Sequence, residues 1–332
     1  MKLFITMPHT PQSDTFLTPG VMELLKSIGE VEQNPYDRPL TADEVVEMAP
    51  DANVLITCWD TCKYFKRHIE KMPHLKLIAH TGGTVVPVVA PEVFETDVKV
   101  ISANDVFAKS VAEGCLCYTL AALRRLEYYI GLMREGGYKE RVFYNRGLFG
   151  KKLGIVGFGA IARHFLNMVR WYDLEVLIYS SHLTDEEAAK YGARTASLEE
   201  IFSECDVISI HASNTPRTQG MITRELMERL KPDALLVNTA RGAVIDEPAM
   251  FEMLLDGKFY AALDVFVEEP PAPDAPIRKC KNALLMPHMG GPTIDMRGVV
   301  LHELSKDIVR LEKGEPLQNE ITAAAAARMT DA

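Results

Sequence analysis

Short apolar runs alternate with segments of helical periodicity through the first third of the chain. The apolar runs are "LFIT", "ANVLITCW", "LKLIAH" and "DVKVISA", and helical segments such as "GVMELLKSIG" and "CKYFKRHIEKM" lie between them. Such alternation is typical of βαβ units, in which helices cover a parallel sheet. We therefore predict that residues 1–103 form one α/β domain.

The pattern changes at residue 104 and then resumes. Good helix formers from Asn104 to Glu135 predict one continuous helix, and the stretch "GGYKERVFYNRGLFGKK" after it predicts an irregular segment. Six further β-runs follow, and six strands with crossover helices form a complete dinucleotide-binding fold. We assign residues 104–295 to this domain, with the β-runs "KLGIVGFG", "EVLIYSS", "DVISIHAS", "ALLVNTA", "YAALDVF" and "ALLMPH".

The last long helical pattern, "DMRGVVLHELSKDIVRLEKGE", is polar and comes too late to extend that sheet. We expect it to pack on the first domain, which is then discontinuous and consists of residues 1–103 and 296–332. The terminal "AAAAARMTDA" is helix-prone but has few signs of burial, so it should fray or dock as a tail. The predicted fold class is α/β, with two Rossmann-like or flavodoxin-like domains whose parallel sheets are covered by helices.

Composition limits the kind of partner. The 332 residues are 47% hydrophobic and 25% charged, which is typical of a globular protein with room for two cores. The net charge of −10 argues against a nucleic-acid or anionic membrane surface and favours a small-molecule ligand. The apolar stretch before Pro8 is too short for a signal-peptide core, and no run reaches the roughly eighteen apolar residues of a membrane span. We expect a cytoplasmic protein.

The cysteines do not have the spacing of a metal site. They lie at positions 58, 62, 115, 117, 205 and 280, and neither the CxxxC pair nor the CxC pair matches a zinc ribbon or a redox motif. We expect reduced, mostly buried thiols and no bound metal.

The segment "KLGIVGFGAIARHF" has the features of a dinucleotide-binding turn. A strand precedes Gly157, Gly159 and Ala162, and a helix follows them. The first glycine permits a tight turn, the second lets the backbone approach a pyrophosphate, and the small third residue lets the helix pack on the strand. GxGxxA alone is a weak signal, but in this context it predicts a cofactor site.

The ribose end of this site is less defined. The acidic residue expected about twenty positions after the glycines, which would bind a ribose 2′-hydroxyl, is missing, and the strand ends with Ser180 and Ser181. Hydroxyl groups can bond a ribose or a 2′-phosphate. No arginine stands in that turn to neutralise a phosphate, and Arg163 on the helix is a remote candidate. NAD and NADP both remain open, with a slight preference for NAD.

Three strand ends behind the glycine turn have polar side chains: Arg241, then Asp264 with Glu269, then His288. Ligands of open α/β sheets bind beyond the carboxyl ends of the strands, so these groups should meet in one crevice. Reduction of a 2-oxo acid needs a proton for the carbonyl oxygen and a cation for the carboxylate. His288 can give the proton while Glu269 orients its ring and favours the protonated form, and Arg241 can bind the carboxylate. Taken singly, each could instead be a salt-bridge, turn or structural residue.

The chain resembles the D-isomer-specific 2-hydroxyacid dehydrogenase family along nearly all its length. The matching stretches are "LKLIAHTGG", "SVAEG", "GIVGFGAIAR", "IHASNTPRTQGMI", "LLVNTARGAVIDEPAM", "ALDVFVEEPP" and "MPHMGGPT". The resemblance implies that Arg241, Glu269 and His288 are catalytic and that Asp264 binds the nicotinamide carboxamide. It also implies a pyrophosphate site at Gly157, Gly159, Ala160 and Ile161, and further cofactor contacts from Ser110, His211, Thr215, Thr239 and Ala240.

Three stretches depart from the family pattern. Gly82, Gly83 and Thr84 stand where the family has a G-V-G loop whose amides bind the substrate carboxylate, and Val86 replaces an aspartate. Ser213 replaces a proline, and "SAND" replaces "NxPG". The amides of the loop can still bind a carboxylate, but the shape of the substrate pocket is altered. By resemblance Trp59 faces the same crevice and could close over a substrate side chain; a core aromatic is the alternative.

The leading interpretation is an oxidoreductase that transfers a hydride between NAD(P)H and a small 2-oxo acid or D-2-hydroxy acid, glyoxylate and hydroxypyruvate foremost. The alternative from another class is an NAD(H)-sensing co-repressor-like module, which would be expected to have peptide-docking segments or a long disordered tail. Phosphoglycerate oxidation is a third possibility, but we find no basic cluster around residues 80–84 and no regulatory domain after residue 332. By resemblance we also expect a homodimer.

Overall fold

The computed structural model describes residues 1–139 and 145–330. The chain divides into two compact units: unit 1 is Met1–Phe107 with Pro292–Ala332, and unit 2 is Ala108–Gly291. From the sequence we predicted boundaries after residues 103 and 295. The boundaries in the structure fall after residues 107 and 291, four residues from the predicted ones.

Unit 1 contains a five-stranded parallel sheet in the order β2-β1-β3-β4-β5. This is the order of a flavodoxin-like sheet. The strands are β1 (Lys2–Ile5), β2 (Glu30–Gln33), β3 (Val54–Thr57), β4 (Leu77–His80) and β5 (Lys99–Ser102). The helices are α1 (Pro11–Phe16), α2 (Pro19–Ile28), α3 (Ala42–Met48), α4 (Lys66–Ile69), the 3₁₀ turn Pro91–Glu95, and, after unit 2, α12 (Ile294–Lys313) and α13 (Ala323–Ala326).

The returning helix α12 belongs to unit 1, as its late position in the sequence predicted. It buries one face, with Val300, Leu301, Leu304 and Ile308, in the core that β1, β3, α1 and α2 also line. The tail after it docks rather than frays: Ile101 pairs with Glu320 in an antiparallel bridge, and the Thr84 hydroxyl donates to the Thr330 carbonyl at 3.0 Å.

Unit 2 contains a seven-stranded parallel sheet in the order β12-β11-β10-β9-β6-β7-β8. The strands are β6 (Lys152–Val156), β7 (Glu175–Tyr179), β8 (Ala193–Thr195), β9 (Val207–Ile210), β10 (Leu235–Asn238), β11 (Tyr260–Leu263) and β12 (Ala283–Leu285). The helices are α5 (Asn104–Leu123), which contains the boundary between the units, α6 (Leu126–Arg134), α7 (Ala160–Val169), α8 (Asp185–Ala189), α9 (Leu198–Glu204), α10 (Arg224–Met227) and α11 (Glu247–Leu255), with 3₁₀ turns at Gly242–Val244 and Pro276–Lys279.

Two strands were not predicted from the sequence, β2 in unit 1 and β8 in unit 2. Unit 2 therefore has seven strands, one more than predicted. Strand β2 lies at the edge of its sheet, and its four residues, "EVEQ", are partly exposed. Strand β8 is also an edge strand and has only three residues, none of them fully buried. Short, polar edge strands do not form the apolar runs by which strands are recognised.

The single helix predicted from Asn104 to Glu135 is wrong, because the chain breaks between α5 and α6. Arg125 there has a left-handed backbone with φ of +54°, and its guanidinium stacks on the rings of Tyr128 and Tyr260 at 4.6 and 5.9 Å. Arginine is a good helix former, so nothing in local propensity marks this break. The irregular segment predicted after the helix lies partly outside the described residues.

Within the part of the chain that the structure describes, one helix, α5, has the length and mean hydropathy of a membrane span. Core helices of globular proteins meet the same criterion, and α5 buries Ala112 and Cys115 against the core of the unit 2 sheet.

Candidate active site

The glycine turn after β6 has the geometry that its sequence predicted. Gly157 has φ of +94°, and a Cβ atom there would lie 2.6 Å from the backbone nitrogen of Ala212, so the position admits only glycine. Gly159 is the N-cap of α7, and a Cβ atom there would meet no protein atom within 4 Å. Ala160 and Ile161 begin this ten-residue helix, and no side chain caps it. Its first amide groups can therefore bind an anion.

A buried histidine next to this turn has an unused ring nitrogen. His211 Nε2 lies 2.9 Å from Ser209 Oγ, whereas its Nδ1 is buried without a hydrogen-bond partner among the described residues. Burial lowers the pKa of His211 to about 3, so the ring is neutral at physiological pH. A dinucleotide has many polar atoms that could bond Nδ1. Ser110 and Thr239, which the sequence also assigned to the cofactor, are likewise buried in unit 2. These features fit a bound dinucleotide.

The predicted ribose-binding residues lie at the surface. Ser180 follows β7 and is half-buried, and Ser181 is exposed. Arg163 is not free to neutralise a 2′-phosphate unless it changes partner, because its guanidinium lies 3.1 Å from the Glu187 carboxylate and stacks on Phe158 at 5.0 Å.

The loop after β9 is ordered by two threonines. Thr215, a predicted cofactor contact, has its backbone N–H 2.9 Å and its hydroxyl 3.0 Å from the hydroxyl oxygen of Thr218. The Thr218 hydroxyl in turn donates to the carbonyl of Ser213 at 2.5 Å. Ser213, which stands where the family has a proline, is thus held through its carbonyl group by a side-chain hydrogen bond.

The predicted acid–base pair is formed in unit 2. His288 Nδ1 lies 2.6 Å from Glu269 Oε2, and the other carboxylate oxygen accepts the backbone N–H of Phe266 at 2.8 Å. Because Nδ1 is bound to the carboxylate, Nε2 is the nitrogen left to face a substrate. The two side chains are about half and one third exposed, respectively, so the pair can be reached by a ligand.

Asp264 positions the loop on which His288 lies. Its carbonyl accepts the N–H of His288 at 2.9 Å, and its buried carboxylate accepts those of Met289 and Gly290 at 2.7 and 2.8 Å. These bonds hold His288 in a left-handed conformation with φ of +55°, which is uncommon outside glycine. The structure thus gives Asp264 a positioning role that the sequence did not suggest; its predicted contact with the carboxamide stays a prediction.

Arg241 follows β10 on a tightly specified turn. Asn238 bridges the turn, since its Oδ1 accepts from the Ala240 N–H at 3.0 Å and its Nδ2 donates to the Arg241 carbonyl at 2.9 Å. Burial lowers the pKa of the Arg241 guanidinium, and the negative charge of Glu269 acts in the opposite direction. Arginine stays protonated even so, and Arg241 therefore supplies a partly buried cation within electrostatic range of Glu269.

Gly242 brings the Arg241 turn against the segment that precedes Glu269. A Cβ atom at Gly242 would lie 2.1 Å from the carbonyl carbon of Phe266 and 2.3 Å from the nitrogen of Val267. Asn238 and Gly242 were missed from the sequence. The sequence features that could have identified them were a polar residue at the end of an apolar strand, for Asn238, and a glycine directly after an arginine, for Gly242.

In unit 1, the predicted carboxylate loop is fixed through its carbonyl groups. The Ser102 hydroxyl is buried and lies 2.8 Å from the carbonyl oxygens of both Gly82 and Gly83. The buried ring of His80 packs beneath the loop, and a Cβ atom at Gly82 would lie 2.3 Å from its Nε2. Thr84 bonds the C-terminal tail. With its carbonyls bound in this way, the loop can present backbone N–H groups to an anion.

Trp59 follows β3 and is neither a fully buried core residue nor an isolated surface residue. The residue is 41% exposed, and its ring makes edge contacts with Phe16 at 5.5 Å and Phe107 at 5.6 Å. It could therefore contact a ligand while its other side packs on unit 1.

Comparison with known proteins agrees with this geometry. The model of the family "D-isomer specific 2-hydroxyacid dehydrogenase, NAD binding domain" matches residues 116–290, more than half of the chain. The glyoxylate reductase of Thermococcus litoralis is 31% identical over 279 residues, which are 82% of this chain and 84% of that protein. The chain belongs to this family.

Two further relatives match nearly the whole of this chain. The D-3-phosphoglycerate dehydrogenase of Methanocaldococcus jannaschii is 32% identical over 324 residues; the match covers 96% of this chain but only 59% of that protein. A solved structure from Polaromonas sp. JS6 66, described as a D-isomer specific 2-hydroxyacid dehydrogenase, is 26% identical with a TM-score of 0.79, over 97% of this chain and 99% of that one. The residues matched by the family model for the NAD-binding domain, 116–290, lie within unit 2.

Proposed function

We propose that the protein reduces small 2-oxo acids to D-2-hydroxy acids, and catalyses the reverse reaction, with NAD(H) or NADP(H). The observation on which this rests is the His288–Glu269 pair, with its 2.6 Å hydrogen bond, on a loop that Asp264 holds in place. A module that only sensed the cofactor would not need an oriented acid–base pair beside it. This favours an enzyme over the co-repressor-like alternative.

The chain's own residues supply what the reduction needs apart from the hydride. Gly157, Gly159 and the amino end of α7 would hold the pyrophosphate, and His211 and Thr239 would line the rest of the site. Reduced nicotinamide bound there would supply the hydride. His288 Nε2 would give its proton to the substrate oxygen, Glu269 would stabilise the imidazolium from which that proton comes, and the Arg241 guanidinium would bind the substrate carboxylate and carbonyl.

The proposed substrate is a small 2-oxo acid, with glyoxylate and hydroxypyruvate first. The glyoxylate reductase of T. litoralis supports this choice, because the match covers most of both chains. In unit 1, the N–H groups of Gly82, Gly83 and Thr84 would bind the substrate carboxylate, and Trp59 would contact the substrate side chain. The substrate role of residues 1–103 and 296–332, and the cofactor role of residues 104–295, form part of this proposal.

We also propose that the enzyme is a cytoplasmic homodimer. Helix α6 exposes a set of large apolar side chains that another subunit could cover: Leu126, Tyr128, Ile130 and Met133. All six cysteines are free thiols, which agrees with a reducing compartment.

The test is a panel of 2-oxo acids with NADH and with NADPH, followed through the absorbance of the reduced cofactor. We expect turnover of glyoxylate or hydroxypyruvate with at least one cofactor and formation of the D-isomer from hydroxypyruvate. If the purified protein binds the cofactor but turns over no 2-oxo acid, the proposal is wrong and the co-repressor-like module becomes the better explanation.

A further inference from the structure

Arg297, in the first turns of α12, has few of its hydrogen-bonding groups occupied. A guanidinium has five N–H donors, and the one bond it makes among the described residues is from Nη1 to the Thr15 hydroxyl, at 3.2 Å. Its Nε is buried and has no partner there. No carboxylate of residues 1–139 or 145–330 lies within 4.0 Å of it. A buried donor without an acceptor is costly, so the side chain is suited to bind an anion.

Aromatic rings surround this cation. The guanidinium carbon lies 5.6 Å from the ring centre of Phe16 and 5.9 Å from that of Trp59. Arg38 also stacks on an aromatic ring, but it pairs with the Glu44 carboxylate at 2.6 Å. Arg297, like Arg38, lies beside aromatic rings, but it has no paired carboxylate among the described residues. Because apolar rings displace water, they strengthen the attraction between the guanidinium and an anion.

The cluster lies where open α/β sheets bind ligands. Trp59 comes two residues after the carboxyl end of β3, and Phe107, which contacts Trp59, lies in the first turn of the helix after β5. Phe107 also lies beside the carboxylate loop, since a Cβ atom at Gly83 would be 3.9 Å from its Cβ. Arg297 and the loop are therefore at the same edge of the unit 1 sheet.

We propose that Arg297 binds a second anionic group, a carboxylate or a phosphate, at the end of the substrate distant from the 2-oxo acid. This inference rests on the proposed function and refines it. Small 2-oxo acids remain the substrates, and a 2-oxo acid with a second anionic group should bind more tightly through this subsite than one of similar size without it. Phe16 and Trp59 form the walls of this subsite.

A purely structural role explains less of the geometry. The bond to Thr15 ties α12 to α1, but such a tie needs neither a buried Nε without a partner nor two aromatic walls. Loss of a structural tie would also affect every substrate alike, whereas loss of an anion subsite affects only substrates that have the second anion. The two roles therefore differ in a measurable ratio.

The experiment compares kcat/KM for glyoxylate and pyruvate, which have one anionic group, with oxaloacetate, 2-oxoglutarate and 3-phosphohydroxypyruvate, which have two. In Arg297→Met we expect the ratio of two-anion to one-anion substrates to fall roughly 10- to 100-fold, as for a lost charge-assisted hydrogen bond. Arg297→Lys should restore part of the ratio, because it keeps the charge but loses the planar fork. Arg67→Met is the matched control, since Arg67 stacks on Phe65 at 5.0 Å elsewhere in unit 1. The preferred member of the panel identifies the anion as carboxylate or phosphate.

A binding measurement separates failure of this inference from failure of the proposed function. The sequence has two tryptophans, so Trp171→Phe leaves Trp59 as the sole reporter. With cofactor present, D-malate should change Trp59 fluorescence at lower concentration than D-lactate, and Arg297→Met should abolish the difference. Turnover without any effect of Arg297→Met on the substrate ratio overturns the inference and leaves the function standing. Absence of turnover overturns the function, and equal binding of D-malate and D-lactate then overturns the inference as well.

Discussion

His288 Nδ1 lies 2.6 Å from Glu269 Oε2, so the carboxylate fixes the orientation of the imidazole and leaves Nε2 as the ring nitrogen that can face a ligand. The two residues are 19 positions apart in sequence and follow neighbouring strands, β11 and β12. The loop that contains His288 is bound to Asp264, at the end of β11. The parallel pairing of these strands therefore brings the acid and its carboxylate together.

His288→Gln should lose most turnover while the cofactor still binds. Glutamine retains a polar side chain of similar length but cannot give a proton, and loss of a general acid typically costs about 10² to 10⁴ in rate. We would measure kcat for the best 2-oxo acid and the dissociation constant of the reduced cofactor. His302→Gln, at an exposed position of α12, is the control. Near-normal kcat in His288→Gln would rule out the assigned acid.

Glu269→Gln should lower kcat for the 2-oxo acid and leave cofactor affinity unchanged. Glu269 Oε2 lies 2.6 Å from His288 Nδ1, and glutamine keeps the size of this side chain but removes its negative charge. Loss of a charge-assisted hydrogen bond should lower kcat by about 10- to 100-fold. We would measure kcat for the best 2-oxo acid and the dissociation constant of the reduced cofactor. An unchanged kcat would show that the reaction does not need the charge of Glu269.

Gly159→Val should weaken cofactor binding and leave the fold intact. A Cβ atom at Gly159 meets no protein atom within 4 Å, so the added side chain occupies the space in front of α7 where the pyrophosphate would bind. Gly157→Ala differs, because its Cβ would lie 2.6 Å from the backbone of Ala212 and should lower stability directly. Calorimetric titration with the cofactor, beside thermal unfolding, separates the two effects. Unchanged cofactor affinity in Gly159→Val would refute the site.

Buried elements and the glycine turn could be predicted from the sequence because their physics is local. The four residues of β9 and the four of β10 are all buried, and such strands form nearly continuous apolar runs. Gly157 was recognised because few residues other than glycine tolerate its backbone. The edge strands β2 and β8 and the left-handed Arg125 were missed because their conformations depend on partners distant in sequence.

The candidate site shows the same division. Arg241, Glu269 and His288 are chemically distinctive and follow apolar strands, so they could be named as candidates from the sequence. The roles of Asp264 and Ser102 could not be inferred in that way, because each acts through hydrogen bonds to backbone groups of another loop. Arg297 has no motif, and its subsite is visible only where α12 returns to Phe16 and Trp59.

Ser102→Ala should raise the KM for the 2-oxo acid, by severalfold or more, and leave cofactor affinity unchanged. The hydroxyl holds the Gly82 and Gly83 carbonyls at 2.8 Å, and the loop whose N–H groups would bind the substrate carboxylate loses this hold when it is removed. Ser27→Ala is the control, since Ser27 donates to the Leu24 carbonyl on the exposed side of α2. A fall in thermal stability with no change in KM would limit Ser102 to a structural role.

Acid should destabilise the protein below about pH 6.5 through two buried histidines. Burial lowers the pKa of His80 to about 4 and that of His211 to about 3, whereas in the unfolded chain both should titrate near 6.5. As pH falls below 6.5 the unfolded chain takes up protons that the folded protein does not, so stability present above that pH is lost progressively towards pH 4. At pH 5 this proton uptake lowers the free energy of unfolding by about 2 kcal/mol per histidine.

Replacing His80 by Asn, which can still bond the Thr57 hydroxyl, should remove the part of this pH dependence that His80 contributes. His302→Asn should leave the pH dependence of stability unchanged. Denaturant unfolding of unit 1 between pH 7 and pH 5 measures the slope, and an identical slope in His80→Asn and wild type would show that His80 is protonated in the folded protein after all.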